Sequence, residues 1–250
     1  MRQLRDPSGG CPWDREQDWA SLVPHTLEEA YEVAEAVAEN NPGVLCEELG
    51  DLLFQVIFYA RIAEEQGLFD FDDVAAALAT KLINRHPHVF AGQAIDRHEL
   101  DHSWEAHKTQ ERQQKGQHGS LDGVAKALPA LVRAVKLQRR AARAGFDWID
   151  VEQILAKVEE ELAEVREVLA RRQSDEALRH ELGDLLLAAS NVARFLGMDA
   201  EGCLREANDR FEHRFRMMEQ FCIQQGERLS ELTAERQQGL WQRAKALENK

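Results

Sequence analysis

Helical periodicity runs through nearly the whole chain, while the strict alternation of apolar and polar residues that marks a half-buried strand is scarce. Leu27, Ala30, Tyr31, Ala34 and Val37 fall three or four apart on one face of a helix, which Asn40, Asn41, Pro42 and Gly43 bring to an end. The spacing predicts a longer helix over 44–66, closed by Gly67, a third over 71–85 that stops near Pro87, and a fourth over 104–112. The stretch 113–123 is polar and glycine-containing and is the expected linker. Beyond it the pattern predicts helices over 125–144, 151–172, 176–196 and 200–225, with a last one around Trp241. The expectation is an all-α protein of two helical units, 1–112 and 124–250, on either side of that linker.

The two halves repeat each other. Glu-Leu-Gly-Asp-Leu-Leu occurs at 48–53 and again at 181–186, an offset of 133 residues. Upstream of each lies an acidic helical segment, 27–33 and 159–165. Downstream, Lys81 and Arg85 are echoed by Arg210 and Arg214, and Trp104 and Lys108 by Trp241 and Lys245. Four features recur in one order at nearly one spacing, which duplication explains and coincidence does not.

The repeated hexapeptide places a carboxylate in an unexpected setting. Residues 49–60 are apolar all round, so the helix they form should be buried in its own core or against a partner, with Asp51 inside it. A buried, unpaired carboxylate costs several kcal/mol, so it should be neutralised, paired or metal-bound. Gly50 lowers helix propensity by roughly 1 kcal/mol, which points to close approach of another group. Gly183 and Asp184 repeat this pattern. Residues three apart share a helix face, so Glu48 and Asp51 point one way, as do Glu29 and Glu32 on the preceding helix. If the two helices pack antiparallel, four carboxylates converge, a hard oxygen set suited to magnesium or manganese. Glu161, Glu164, Glu181 and Asp184 form the same set in the second copy.

Each residue alone has a plainer reading. Glu28, Glu32, Glu35 and Glu39 also lie on a solvated acidic stripe, and Asp51 and Asp184 fit a buried ion pair. Lys81, Arg85, Arg210 and Arg214 fit surface charge, and Trp104 and Trp241 fit core aromatics. The ordered recurrence is what favours a site. A di-iron bundle requires Glu-x-x-His pairs; the spacing occurs at Glu99/His102, outside the repeated unit and unduplicated. No phosphate-binding glycine loop, nucleophile elbow or dinucleotide fingerprint is present.

Charge narrows the partners. Asp and Glu number 45 against 31 Lys and Arg, a formal net charge of -14, the wrong sign for a nucleic-acid backbone. A small polyanion remains compatible when a divalent cation mediates. No stretch of 18 apolar residues exists, so a membrane is not expected as a partner. Residues 1–10 carry no apolar region of a signal peptide, and they open on a Pro/Gly-rich turn, which leads us to expect a short helix upstream. Four scattered cysteines fit neither zinc nor disulfides and agree with a reducing cytoplasm.

Glu28-Glu29-x-x-Glu32 followed by Glu48-x-x-Asp51 resembles the EExxE…ExxD signature of the MazG-type all-α nucleoside triphosphate pyrophosphohydrolases, and Glu160-Glu161-x-x-Glu164 with Glu181-x-x-Asp184 is a second copy. Cys11-Pro12-Trp13-Asp14, Glu-Leu-Gly-Asp-Leu-Leu-Phe and His86-Pro87-His88-Val89-Phe90 resemble the two-domain bacterial members. The resemblance implies magnesium-dependent hydrolysis of NTPs or dNTPs to the monophosphate and pyrophosphate, nucleotide-pool housekeeping, and homodimers of packed helices. It credits the second copy with catalysis. On this chain it implies Glu161, Glu164, Glu181 and Asp184 as metal ligands, with Lys157, Glu160, Arg210, Arg214, Trp241 and Lys245 along the nucleotide. Arg210 stands where the family commonly has Lys, which keeps the charge and alters the geometry. Glu160 or Glu161 is the expected proton acceptor, and Trp241 the surface on which any base can stack. The first copy is expected to carry all the corresponding residue types. The competing readings are a non-catalytic helical module that senses nucleotides or docks a protein, and a narrow dUTP or dCTP hydrolase on the same bundle.

Overall fold

The computed structural model describes residues 1–92, 116 and 118–248, which form ten α-helices and one 3-10 turn with no strand among them. The predicted helix over 104–112, with Trp104 and Lys108, the Glu99/His102 pair and part of the predicted linker lie outside the described residues. The chain divides into two compact units, Met1–Glu111 and Arg112–Lys250.

The first unit contains α1 (Pro12–Glu16), α2 (Trp19–Ala38), α3 (Pro42–Glu65), α4 (Phe71–Arg85) and α5 (Pro87–Phe90). Side-chain caps set the starts. Asp18 accepts from the Ser21 amide while Ser21 Oγ receives the Asp18 amide, a reciprocal box that starts α2 eight residues ahead of Leu27 despite Pro24 within it. Asn41 caps α3 with Pro42 at its first position, and Asp70 with Asp73 forms a second box on α4. The three-residue connection 39–41 folds α2 back along α3 as an antiparallel hairpin, the principal packing of the unit. Its core is Leu22, Phe58 and Ile62, backed by Met1, Phe54 and Tyr59. The segment before α2 covers this end. Trp13 meets Phe58 edge-on at 6.4 Å, and the Arg5 guanidinium lies 5.4 Å over the same ring. Arg5 also donates to the carbonyls of Asp14 and Gln17 and pairs with Glu65 at 2.8 Å. The Cys11-Pro12-Trp13-Asp14 run therefore acts as a structural cover.

The second unit contains α6 (Ala130–Arg143), α7 (Val151–Ala170), α8 (Asp175–Phe195), α9 (Ala200–Gln225), the 3-10 turn Leu229–Glu231 and α10 (Ala234–Glu248). Asp150, Ser174 and Asp199 cap α7, α8 and α9, and Gly226, at φ +69°, ends α9 in the left-handed conformation a β-carbon disfavours. Helices α7 and α8 repeat the α2/α3 hairpin; α6 packs on α8, and α10 packs on α9. Met218, Phe221, Cys222, Leu240 and Ala244 form the α9/α10 core, with Trp241 against its side.

Within its own unit α3 is not buried on all sides: Leu49 is 49% and Leu53 50% exposed, and Asp51 is exposed with them, so burial of that face would need a partner. The reason is that α2 covers one face of α3 and leaves the opposite one bare within the unit. The expected close approach to the glycines is not seen among the described residues, because a β-carbon at Gly50 or Gly183 would have no neighbour within 4 Å.

Candidate metal centre

The α2/α3 hairpin brings Glu29, Glu48 and Asp51 together, with one carboxylate oxygen of each within 4.8 Å of the others. Glu32 lies against Glu48 in the same group. Partial burial, followed by the charges of Asp51, Glu32, Glu48 and Glu28, holds the Glu29 carboxyl above the usual glutamate range. Glu48 is raised in the same way, by desolvation and then by Glu32 and Asp51. The negative charges gathered around Glu29 and Glu48 raise the proton affinity of these two, and a divalent cation relieves the same repulsion.

The α7/α8 hairpin repeats the arrangement with differences. Glu161, Glu164 and Glu181 each offer an oxygen within 4.8 Å of the others, and Glu181 forms a second such group with His180 and Asp184. Glu161 is the buried member, 5% exposed. Its one oxygen receives the Lys157 ammonium at 2.8 Å, while the other, Oε2, is buried with no hydrogen-bond partner among the described residues. Lys157 also donates to Glu160 at 2.9 Å, and these two bonds hold its ammonium well above the usual lysine range. Desolvation, then the neighbouring Glu161 and Glu181, pushes Glu164 up against a smaller opposing pull from Lys157. Asp184 meets His180 Nδ1 at 3.0 Å, and Glu181 lies 3.7 Å from the same nitrogen.

A buried carboxylate oxygen without a donor is costly. Glu161 also lies in a group with Glu164 and Glu181, and a cation bound there would satisfy such an acceptor. The donor set, hard oxygens from two facing helices, fits Mg²⁺ or Mn²⁺. The buried acid that the sequence pattern placed at Asp51 and Asp184 is therefore Glu161, on the preceding helix.

The remaining predicted residues fall on α7, α9 and α10. Arg214 is ion-paired with Glu248 and lies 5.7 Å over the Trp241 ring, which also tilts against Phe211 at 5.4 Å. Lys245 stands one turn further along α10, and Arg210 is exposed on α9, 3.7 Å from Glu206. Trp241 is thus half-buried, in part the core aromatic that its plainer reading describes. Lys81 and Arg85, their echoes in the first copy, stand on α4.

The expectation that the first copy has every corresponding residue type fails at one place. The counterpart of Lys157, one turn before the first acid, is His25, whose ring packs edge-on against Trp13 and stands 3.7 Å from Glu28. His180 was missed by the sequence reading altogether. The signal was available, because the repeat aligns it with Glu47 and it stands one turn before Asp184.

Comparison with known proteins agrees with this duplicated geometry. The model of the MazG nucleotide pyrophosphohydrolase domain matches residues 17–90 and again 150–217, the segments that carry the two hairpins. The nucleoside triphosphate pyrophosphohydrolase of Escherichia coli K12 is 47% identical over 99% of this chain and 95% of its own length. A Thermotoga maritima protein named nucleoside triphosphate pyrophosphohydrolase/pyrophosphatase MazG is 42% identical over 98% of this chain and 92% of its own. The Bacillus subtilis protein YabN is 40% identical over the whole chain, which spans 51% of that relative.

Proposed function

Because the chain belongs to the MazG nucleotide pyrophosphohydrolase family, we propose that it hydrolyses nucleoside triphosphates, ribo or deoxyribo, to the monophosphate and pyrophosphate at the acidic cluster of its second unit. Nucleoside triphosphate hydrolysis as such is what both near-full-length relatives are named for. The choice of copy rests on one observation: the buried, donorless Oε2 of Glu161, held beside Glu164 and Glu181 by the Lys157 pair.

Glu161, Glu164, Glu181 and Asp184 would hold magnesium, or manganese in its place. When bound, the cation neutralises phosphate charge and lowers the pKa of an attacking water. The water oxygen bonds to the α-phosphorus, the bond to the bridging β-oxygen breaks, and pyrophosphate leaves. Glu160, exposed beside the cluster, takes the water proton. Lys157, Arg210, Arg214 and Lys245 compensate the triphosphate charge and the pyrophosphate that develops from it. The free part of the Trp241 ring stacks on the base, a contact every base accepts, so we expect broad base tolerance. Glu29, Glu32, Glu48 and Asp51 form a second cation site that lacks the lysine.

The reading extends to assembly. Leu49 and Leu53 on α3, and Leu182 and Leu186 on α8, leave apolar stripes 42–61% exposed on helices that flank the acids. Such stripes fit a homodimer that covers them, with no nucleic acid and no membrane as partner. Among the described residues no helix is long and apolar enough to cross a membrane. The cytoplasm, where nucleotide pools are kept, is the compartment that suits this activity.

The test is incubation with a panel of NTPs and dNTPs, with and without magnesium, followed by chromatographic identification of products. Monophosphate plus pyrophosphate, abolished by a chelator, is the expected result. Diphosphate plus orthophosphate overturns the assigned bond. A single turned-over nucleotide overturns the base tolerance.

A further inference from the structure

Besides the exchange of Lys157 for His25, the two copies differ at the residue before the Glu-Leu-Gly-Asp run. In the first, the residue preceding the Glu-Leu-Gly-Asp run is Glu47, an exposed carboxylate outside the group formed by Glu29, Glu48 and Asp51. In the second it is His180, whose ring nitrogen joins Glu181 and Asp184 within ligating distance of one another. We propose that His180 Nδ1 is a nitrogen ligand of the second cation site, which gives this copy a preference for borderline transition ions such as Co²⁺ that the first copy lacks. The inference rests on the metal reading given above and adds a ligand and an ion class to it.

The geometry is that of two neighbouring ligands. Donors that sit at about 2.1 Å from one ion and subtend a right angle there are about 3.0 Å apart. Nδ1 of His180 and Oδ2 of Asp184 are 3.0 Å apart. Glu181 Oε1, at 3.7 Å from the same nitrogen, matches a wider angle in the same shell. The one-turn spacing between His180 and Asp184 keeps both on one helix face. Glu181 belongs to both carboxylate groups, so the nitrogen stands at the edge of the cluster that contains the donorless Glu161 oxygen. The imidazole is 74% exposed, so an ion can reach its Nδ1 beside Asp184 from solvent.

Imidazole contributes little to magnesium, which takes oxygen and water, and much to cobalt, nickel or zinc. A site with the carboxylates of Glu181 and Asp184 and one imidazole, sharing Glu181 with the Glu161/Glu164 group, should therefore still accept magnesium while binding Co²⁺ more tightly than an all-oxygen cluster does. The first hairpin, built from the same signature with Glu47 in that place, is the internal control.

The experiment is calorimetric titration of the full chain with Co²⁺ and, separately, Mg²⁺, for the wild type, His180→Gln and the reciprocal Glu47→His. Proton NMR of the Co²⁺ form accompanies it. Loss of a ligand should cost His180→Gln at least about tenfold in Co²⁺ affinity at one of two sites, with Mg²⁺ affinity changed less than about twofold. The wild type should show a paramagnetically shifted, exchangeable imidazole N–H that His180→Gln lacks. Glu47→His should tighten Co²⁺ at the other site and add a second such resonance. Parallel losses of Co²⁺ and Mg²⁺, or no loss and no shifted imidazole proton, overturn the inference and leave the carboxylate metal site standing. Failure of both ions to bind the wild type overturns the metal reading itself, and this inference with it.

Discussion

The α2/α3 and α7/α8 hairpins descend from one pattern and have been finished differently. The first is tied to the segment before it: Arg5 and Trp13 close over Phe58, and His25 packs on Trp13 where the second copy has Lys157. Its acids are half-buried or exposed and face one another with no cation paired to Glu29 at that position. The second hairpin carries its cation one turn away. Lys157 fixes Glu161 in a buried pose, and His180 sits at the rim. On the proposed function, the second copy keeps the chemistry while its twin is held by packing. A signature shared letter for letter at its acids says where a cluster forms, and the residues one turn away decide how it is used.

The comparison breaks most sharply on the buried acid. Glu161→Gln should lower kcat/KM by about 10²-fold or more. Glu29→Gln, its counterpart, should change it less than about threefold. Steady-state pyrophosphate release checks both, and the reverse order would move catalysis to the first unit. Next in size is assembly. Leu53→Glu and Leu186→Glu each place a charge in an apolar stripe and should weaken dimerisation by about 100-fold, as loss of a central contact does. Sedimentation over a concentration series reads this, and a dimer unmoved by either change removes the stripes from the interface.

A smaller, local effect is expected at the cover. Arg5→Ala strips two carbonyls and Glu65 of a donor and uncovers Phe58, which should cost about 2–3 kcal/mol. Denaturant unfolding should show the loss with Glu161-dependent turnover retained. The smallest effect is on pH. Glu29, Glu48 and Glu164 have folded pKa values above the ordinary 4.5. They favour the folded state fully below that value, and the contribution is lost as pH rises through their raised range. Without cation, the melting temperature should fall across that window. Saturating magnesium, which replaces the shared protons, should flatten the slope. A cation-free melting temperature that rises there contradicts the clustering.

Much of this was legible in the letters. The repeat, the hairpins, the acidic faces and most helix ends follow from periodicity and caps, because those signals are local. The start of α2 was not, since the apolar period was taken up only at Leu27, whereas the Asp18/Ser21 box starts the helix ahead of Pro24. The buried acid was misplaced because apolar neighbours in sequence suggested burial for Asp51, whereas burial is set by which face the opposing helix covers. The open space around Gly50 and Gly183 has the same origin. His180 escaped because a lone histidine on a polar face carries no period; alignment of the two copies is what singles it out.

The bond from Arg5 to Glu65 joins residues 60 positions apart. At about 5–20 residues per second, a ribosome delivers the acid roughly 3–12 s after the arginine. Until then the segment around Arg5 has no Glu65 to hold it, and for most of the interval no Phe58, so it is open to chaperones, processing enzymes and proteases. The cover made by Arg5 therefore closes only once α3 has been made to its end, and the order of synthesis sets when that end of the hairpin is sealed.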